Sequence, residues 1–210
     1  EFGDLTLALT LQDERLTNPN SVVATGPETF YVTNSSRERR SGLLTDLKFA
    51  LGLGSGSVLH YDGNSWSNAA SDLKTANGIE ISVDGRALFV AETADKSLSV
   101  FDRDPETGVI LRSRKILLDG FPDNLNRTAD NILLVGLIPK PLAFAGHTSD
   151  AEKASPSQIA RIDLSETSQM DPEMLFEDNG SRLSGATSAT FIGRKLLIGA
   201  YTENKFLLCN

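Results

Sequence analysis

One pattern recurs four times along the chain: a polar start, a short β-run, a tight turn, then a second and more apolar β-run. The four copies are Asn20–Asn34, Asn77–Glu92, Asp123–Gly136 and Ser184–Gly199. A unit of this kind cannot bury its apolar face alone, so repetition at a fixed period points to stacked supersecondary units rather than one ordinary core. The turns fit hairpins: Asp84-Gly85 is a strong short-hairpin signal, and Gly26-Pro27 and Gly193-Arg194 serve the same purpose. In the second unit, Ser97–Asp102 alternates polar and apolar with period two, Pro105–Gly108 is a turn, and Val109–Leu117 reads as a further strand. Four antiparallel strands in about 42 residues is the period of a propeller blade. The first unit continues through Ser57–Asp62 and Ser65–Ser67, and the third through Gln158–Asp163 and Met174–Glu177. The fourth ends at Lys205–Cys209 without a fourth strand. The expectation is an all-β propeller, with about four four-stranded blades in residues 1–210 forming one incomplete domain.

Two stretches interrupt the pattern. Leu44, Leu47, Leu51 and Leu53 fall at roughly helical spacing, which predicts a short helical insertion over 43–53. Residues 137–155 are rich in Pro, Gly and Ala and read as a long loop.

Composition narrows the partners. The chain has 210 residues, a net charge of −8, 40% apolar and 23% charged residues. That is ordinary for a soluble globular protein. The acidic balance argues against nucleic acid, which needs a basic face. No apolar run approaches the roughly 20 residues of a membrane helix. Cys209 stands alone, either as a buried free thiol or as half of a disulfide whose partner is outside these residues. The sequons at Asn34, Asn126 and Asn179 fall in or beside predicted turns, tilting the reading towards a secreted glycoprotein and the disulfide. The opening Glu1-Phe2-Gly3-Asp4 has neither an initiator Met nor a signal peptide, so truncation or processing is expected.

The innermost strand of each blade lines the channel, so strand-initial residues converge near the axis. Here these are Asn20, Asn77, Asp123 and Asn124. Three amides and a carboxylate are hard oxygen donors suited to Ca²⁺, which takes about six to eight oxygens. Zn²⁺ would draw on His or Cys, and the two histidines sit elsewhere. The alternative is that each Asn only caps a turn.

These residues carry a resemblance. Asn18-Pro-Asn20 followed by Val22–Tyr31, Ala76–Gly85, the pair Asp123-Asn124, and Gly193–Gly199 with Cys209 resemble the paraoxonase/arylesterase family over essentially the whole chain. The resemblance implies a six-bladed propeller with calcium in its tunnel, hydrolysing lactones and aryl esters. It puts the catalytic calcium on Asn20, Asn77, Asp123 and Asn124, pairs Cys209 with an upstream cysteine absent here, and makes Asn179 a family sequon. It also places Glu1 well into the family sequence, with about two blades, a further acidic calcium ligand and the histidine pair upstream. An open propeller of only these residues is expected to fold poorly, since it leaves blade faces unpaired. Three positions depart from the pattern. Ser21 stands where a second, structural calcium uses aspartate. Asn34-Ser35-Ser36 replaces an Asn-Asp-His stretch, and Leu137-Ile138 occupies the neighbourhood of a pocket histidine.

The implied chemistry is Ca²⁺-assisted ester hydrolysis, with Asn77 and Asn124 orienting the carbonyl. His147, in the expected long loop, is the one candidate base within the chain, against the plainer reading of a solvated histidine. His60 and Trp66 read as packing residues. Two other functions fit the same pattern: a non-catalytic calcium-stabilised propeller that binds a partner or small ligand, and an enzyme of the strictosidine-synthase or gluconolactonase kind.

Overall fold

The computed structural model describes residues 6–37, 55–165 and 170–210. Within them the chain forms four antiparallel sheets, each a meander in sequence order. The first holds β1 (Pro19–Ala24), β2 (Phe30–Asn34), β3 (Gly56–Tyr61) and β4 (Trp66–Leu73). The second holds β5 (Ala76–Ile81), β6 (Ala87–Glu92), β7 (Ser97–Arg103) and β8 (Ile110–Leu117). The third holds β9 (Phe121–Arg127), β10 (Ile132–Ile138), β11 (Ser157–Asp163) and β12 (Glu173–Asp178). The fourth has three strands, β13 (Ala186–Ile192), β14 (Lys195–Ala200) and β15 (Leu207–Cys209). This is the expected propeller architecture, three full blades and one of three strands.

The turns follow the chemistry read from the sequence. Gly85, Gly108 and Gly193 take positive φ of 71°, 69° and 58°. Asn131 does the same at 61° in the third hairpin, a conformation that Asn tolerates better than most side chains.

The core lies between the sheets. Tyr31, Val58, Leu73, Ile79, Leu88 and Phe101 fill the space between the first and second blades. Phe89, Leu98, Leu133, Val135 and Ile162 fill the next space, and Leu134, Ile159, Leu183 and Ile198 the third. Period-two alternation on strands packed on both faces produces this result, because each blade sends alternate residues to opposite neighbours.

Backbone-level contacts then draw the inner strands together. A Cβ on Gly78 of β5 would lie 2.5 Å from the Asp123 carbonyl oxygen and 2.6 Å from the Leu125 nitrogen of β9. A Cβ on Gly136 would collide with the Thr187 carbonyl. Side chains lace the same seams. Thr33 donates to the Asn77 carbonyl (2.5 Å), Arg127 Nε to the Ile81 carbonyl (2.6 Å), and Asn124 and Asn126 Nδ2 to the Thr187 and Ala189 carbonyls (3.1 Å each).

The stretch 137–155 is not a long loop. β10 runs through Ile138, and a helix, α1, occupies Pro141–Ser149. Pro141 sits in the first turn, where a missing N–H costs nothing, and Ala143 and Ala145 favour the helix interior. The predicted helix over 43–53 falls outside the described residues.

His60 is buried and stacked on Tyr31, with ring centroids 4.4 Å apart. Trp66 meets Phe30 edge-on at 5.4 Å.

Candidate functional site

Each inner strand begins with the same irregularity. Opposite the steps Asn34→Val32, Glu92→Val90 and Leu137→Val135, the inner strands use one residue more: Pro19→Val22, Ala76→Ile79 and Pro122→Leu125. In the fourth blade Ala186→Ser188 faces Ala200→Gly199. Four blades therefore carry a β-bulge at the same end of the inner strand. The extra residue falls at Asn20-Ser21, Asn77-Gly78, Asp123-Asn124 and Thr187. A bulge bends the strand and re-aims side chains, and such features cluster beside functional sites.

The bulges bring some of the predicted residues together. Asp123 is half-buried, and desolvation pushes its pKa up to about 6, against a hydrogen bond from Asn77 that favours the ionised form. Asn77 Nδ2 also donates to Thr93 Oγ1 (3.2 Å), which in turn donates to the Pro122 carbonyl (2.7 Å). The amide orientation follows from this chain of donors, and Asn77 Oδ1 is left buried with no hydrogen-bond partner among the described residues. An orphaned buried acceptor beside a desolvated carboxylate is costly unless something positive meets both. Asn124 uses its Nδ2 on Thr187, so its own carbonyl oxygen stays available as a donor to a metal. A hard divalent cation thus fits the oxygen set of Asn77, Asp123 and Asn124. Among the described residues no cluster of three or more His, Cys, Asp or Glu offers an alternative metal site.

Asn20 sits differently. It holds the equivalent bulge on β1 but is exposed, in an apolar groove of 320 Å³ with Leu16, Val22, Phe30 and Trp66. Thr187 occupies the fourth blade's bulge and was not singled out by sequence. A Thr within the Thr-Ser-Ala-Thr run gives no sign of its special place, whereas the offset between Ala186 and Ser188 does.

His147 is not a solvated loop residue. It lies on α1, is 1% exposed, and has both ring nitrogens engaged: Nδ1 with the Lys153 carbonyl (2.7 Å) and Nε2 with Thr202 Oγ1 (2.6 Å).

The sequons fare unequally. Asn34 cannot present a glycan acceptor from its place in β2. It is fully buried, and its Nδ2 donates to Thr17 Oγ1 (2.9 Å) and the Arg15 carbonyl (3.2 Å). Asn126 lies within β9 rather than in a turn, half-buried and bonded across to β13. Asn179 is exposed between β12 and β13. Cys209 is a half-buried free thiol at the end of β15.

The family model described as Arylesterase matches residues 4–210. The chain belongs to the arylesterase family. Serum paraoxonase/arylesterase 1 of Mus musculus is 32% identical over 209 residues, which is 96% of this chain and 56% of that protein. Serum paraoxonase/arylesterase 2 of Gallus gallus is 29% identical over 191 residues, 90% of this chain and 53% of that protein. The chain spans about half the length of the curated relatives it matches. Among solved structures, a gluconolactonase of Xanthomonas campestris shares the fold with a TM-score of 0.57 at 18% identity, covering 92% of this chain and 58% of that one. Among the described residues of this arylesterase-family chain, no helix is long and apolar enough to cross a membrane.

Proposed function

We propose that the intact protein is a calcium-dependent hydrolase of carboxylic esters, acting as an arylesterase and lactonase. The observation that carries this reading is the unpartnered Asn77 Oδ1, buried beside the desolvated Asp123 at aligned bulges. Asn77, Asp123 and Asn124 would hold the ion, with Asn20 as the equivalent residue of the first blade. Bound there, Ca²⁺ would polarise the ester or lactone carbonyl and favour the developing oxyanion. Thr93 engages the Asn77 amide nitrogen, so the amide oxygen would be the atom left to hold the ion. The Thr187 carbonyl does the same for Asn124. Membership of the arylesterase family and the names of the relatives support the substrate class. The net charge of −8 supports a small-molecule substrate rather than nucleic acid. A secreted location, a glycan on Asn179 and a disulfide through Cys209 belong to the same reading.

The test is hydrolysis of phenyl acetate and a δ-lactone by the intact protein, with and without a calcium chelator. Turnover abolished by chelation and restored by Ca²⁺ is expected. Turnover indifferent to chelation would overturn the metal role. Calcium binding without turnover would instead favour a calcium-stabilised, non-catalytic propeller.

A further inference from the structure

The contacts of His147 define a second reactive arrangement. The Lys153 carbonyl can only accept, so Nδ1 carries the ring proton. In the neutral ring Nε2 is then an acceptor, and the Thr202 hydroxyl donates to it at 2.6 Å. A hydroxyl on a base, with the base oriented by a third group, is the arrangement that activates an oxygen nucleophile. Burial makes the pairing exclusive. At 1% exposure the imidazole is shielded from bulk water while the Thr202 hydroxyl sits on Nε2, so the first proton it takes is that of the hydroxyl. Thr202 itself is exposed and can meet a substrate.

The fold holds this pair in place. α1 follows β10, and the Thr202 loop follows β14, both at the bulged end of the inner strands. Gly185, at φ +63°, lies beneath α1. A Cβ there would stand 3.0 Å from the Phe144 ring and 3.5 Å from His147 Cδ2. The Gly185 carbonyl accepts from Tyr201 N at 3.2 Å, which fixes the residue preceding Thr202. Phe144 and Tyr201 rings stand 5.9 Å apart beside the pair, an apolar and partly exposed seat for an aromatic group. Gly185 is two residues from the Thr187 bulge, so the pair flanks the proposed metal centre without sharing a side chain with it.

We propose that Thr202 and His147 form a nucleophile–base pair that accepts the acyl group of small aryl esters. Thr202 Oγ attacks the ester carbonyl while its proton passes to His147 Nε2. The C–O bond to the aryl oxygen breaks, and that oxygen takes the proton from Nε2, leaving acyl-Thr202. Water then cleaves the acyl group, its proton passing through the freed Nε2 and back to Thr202 Oγ, and the carboxylic acid leaves. No oxidant or further co-reactant is needed.

The experiment treats the intact protein with p-nitrophenyl acetate in excess chelator and reads acetylation by intact-mass and peptide mass spectrometry. Acetyl-Thr202 is expected in the wild type. Thr202→Ser should keep the label on residue 202, and Thr202→Val, which keeps the side-chain shape at an exposed position, should remove it. His147→Gln should slow labelling about 100-fold or more, with circular dichroism confirming that the variant is folded. No label on residue 202 in either wild type or Thr202→Ser would overturn the proposal, as would labelling undiminished by His147→Gln. The proposal goes beyond the calcium reading, and the chelator separates the two: turnover lost on chelation concerns the metal centre, whereas labelling in chelator concerns this pair.

Discussion

Gly78 is where the blade seam and the proposed metal centre meet, so Gly78→Ala tests both. The added methyl would stand 2.5 Å from the Asp123 oxygen, 2.6 Å from the Leu125 nitrogen and 2.9 Å from the Asn124 Cα. Ordinary contact begins at 3.4 Å, so the overlap with the oxygen is about 0.9 Å. All three atoms are backbone of β9, which is paired to β10 and cannot yield as a side chain would. The strand as a whole must move, carrying Asp123 and Asn124 with it. Overpacking of this kind costs about 1–3 kcal/mol, and because the three nearest atoms are all backbone of a paired strand this site falls near 3. Gly193→Ala is the control: a Cβ there meets nothing within 4 Å, and only its φ of +58° is penalised, at about 1–2 kcal/mol. Urea unfolding of the intact protein, with saturating calcium and with chelator, gives both numbers. Gly78→Ala should lose more stability than Gly193→Ala and also lose much of the extra stability expected from calcium at the proposed site. If the two variants cost the same, or if calcium stabilises Gly78→Ala as fully as wild type, the seam does not position the site.

Two further outcomes concern polar contacts within the first two blades. Tyr31 OH donates to the Gly108 carbonyl (2.5 Å) and accepts from Arg103 Nε (3.0 Å), all in a buried pocket between the first two blades. Tyr31→Phe should therefore lower unfolding free energy by about 1–3 kcal/mol, read by urea denaturation, because it leaves both partners unsatisfied. Burial opposes ionisation of Asp95, but hydrogen bonds from Lys115, Lys74 and Ser97 outweigh it and hold its pKa down at about 2. Its stabilising contribution is present above the ordinary carboxylate value of 3.8 and is lost as the pH falls towards 2. Solvent screening limits that contribution to about 1 kcal/mol, so Asp95→Asn should cost that much at pH 7 and shrink towards zero in acid titrations.

Much of the architecture is legible in the sequence because it is local. Period-two alternation in Ser97–Asp102 and the Asp84-Gly85 turn specify hairpins, and four copies of one pattern specify blades. α1 was hidden because Pro141–Ser149 has no clear apolar stripe. It is held by Pro141 at its start and by Phe144 and His147 lying on Gly185, a contact some 40 residues distant in sequence. A separation of 55 residues conceals the His147–Thr202 bond, and nothing around the Asn34 sequon shows that its amide turns inward to Thr17 and Arg15. The polar starts of the inner strands were visible as residues, but the shared bulge that aligns them, Thr187 included, exists only in the pairing register.

The most direct test of the account is a calorimetric titration of calcium into the chelator-stripped intact protein, wild type and Asp123→Ala. Asn77 and Asp123 as ligands predict a saturable site in the wild type that Asp123→Ala weakens at least about 100-fold, in a protein still folded by circular dichroism. Equal calcium affinity in the two proteins would contradict the assignment of the metal centre.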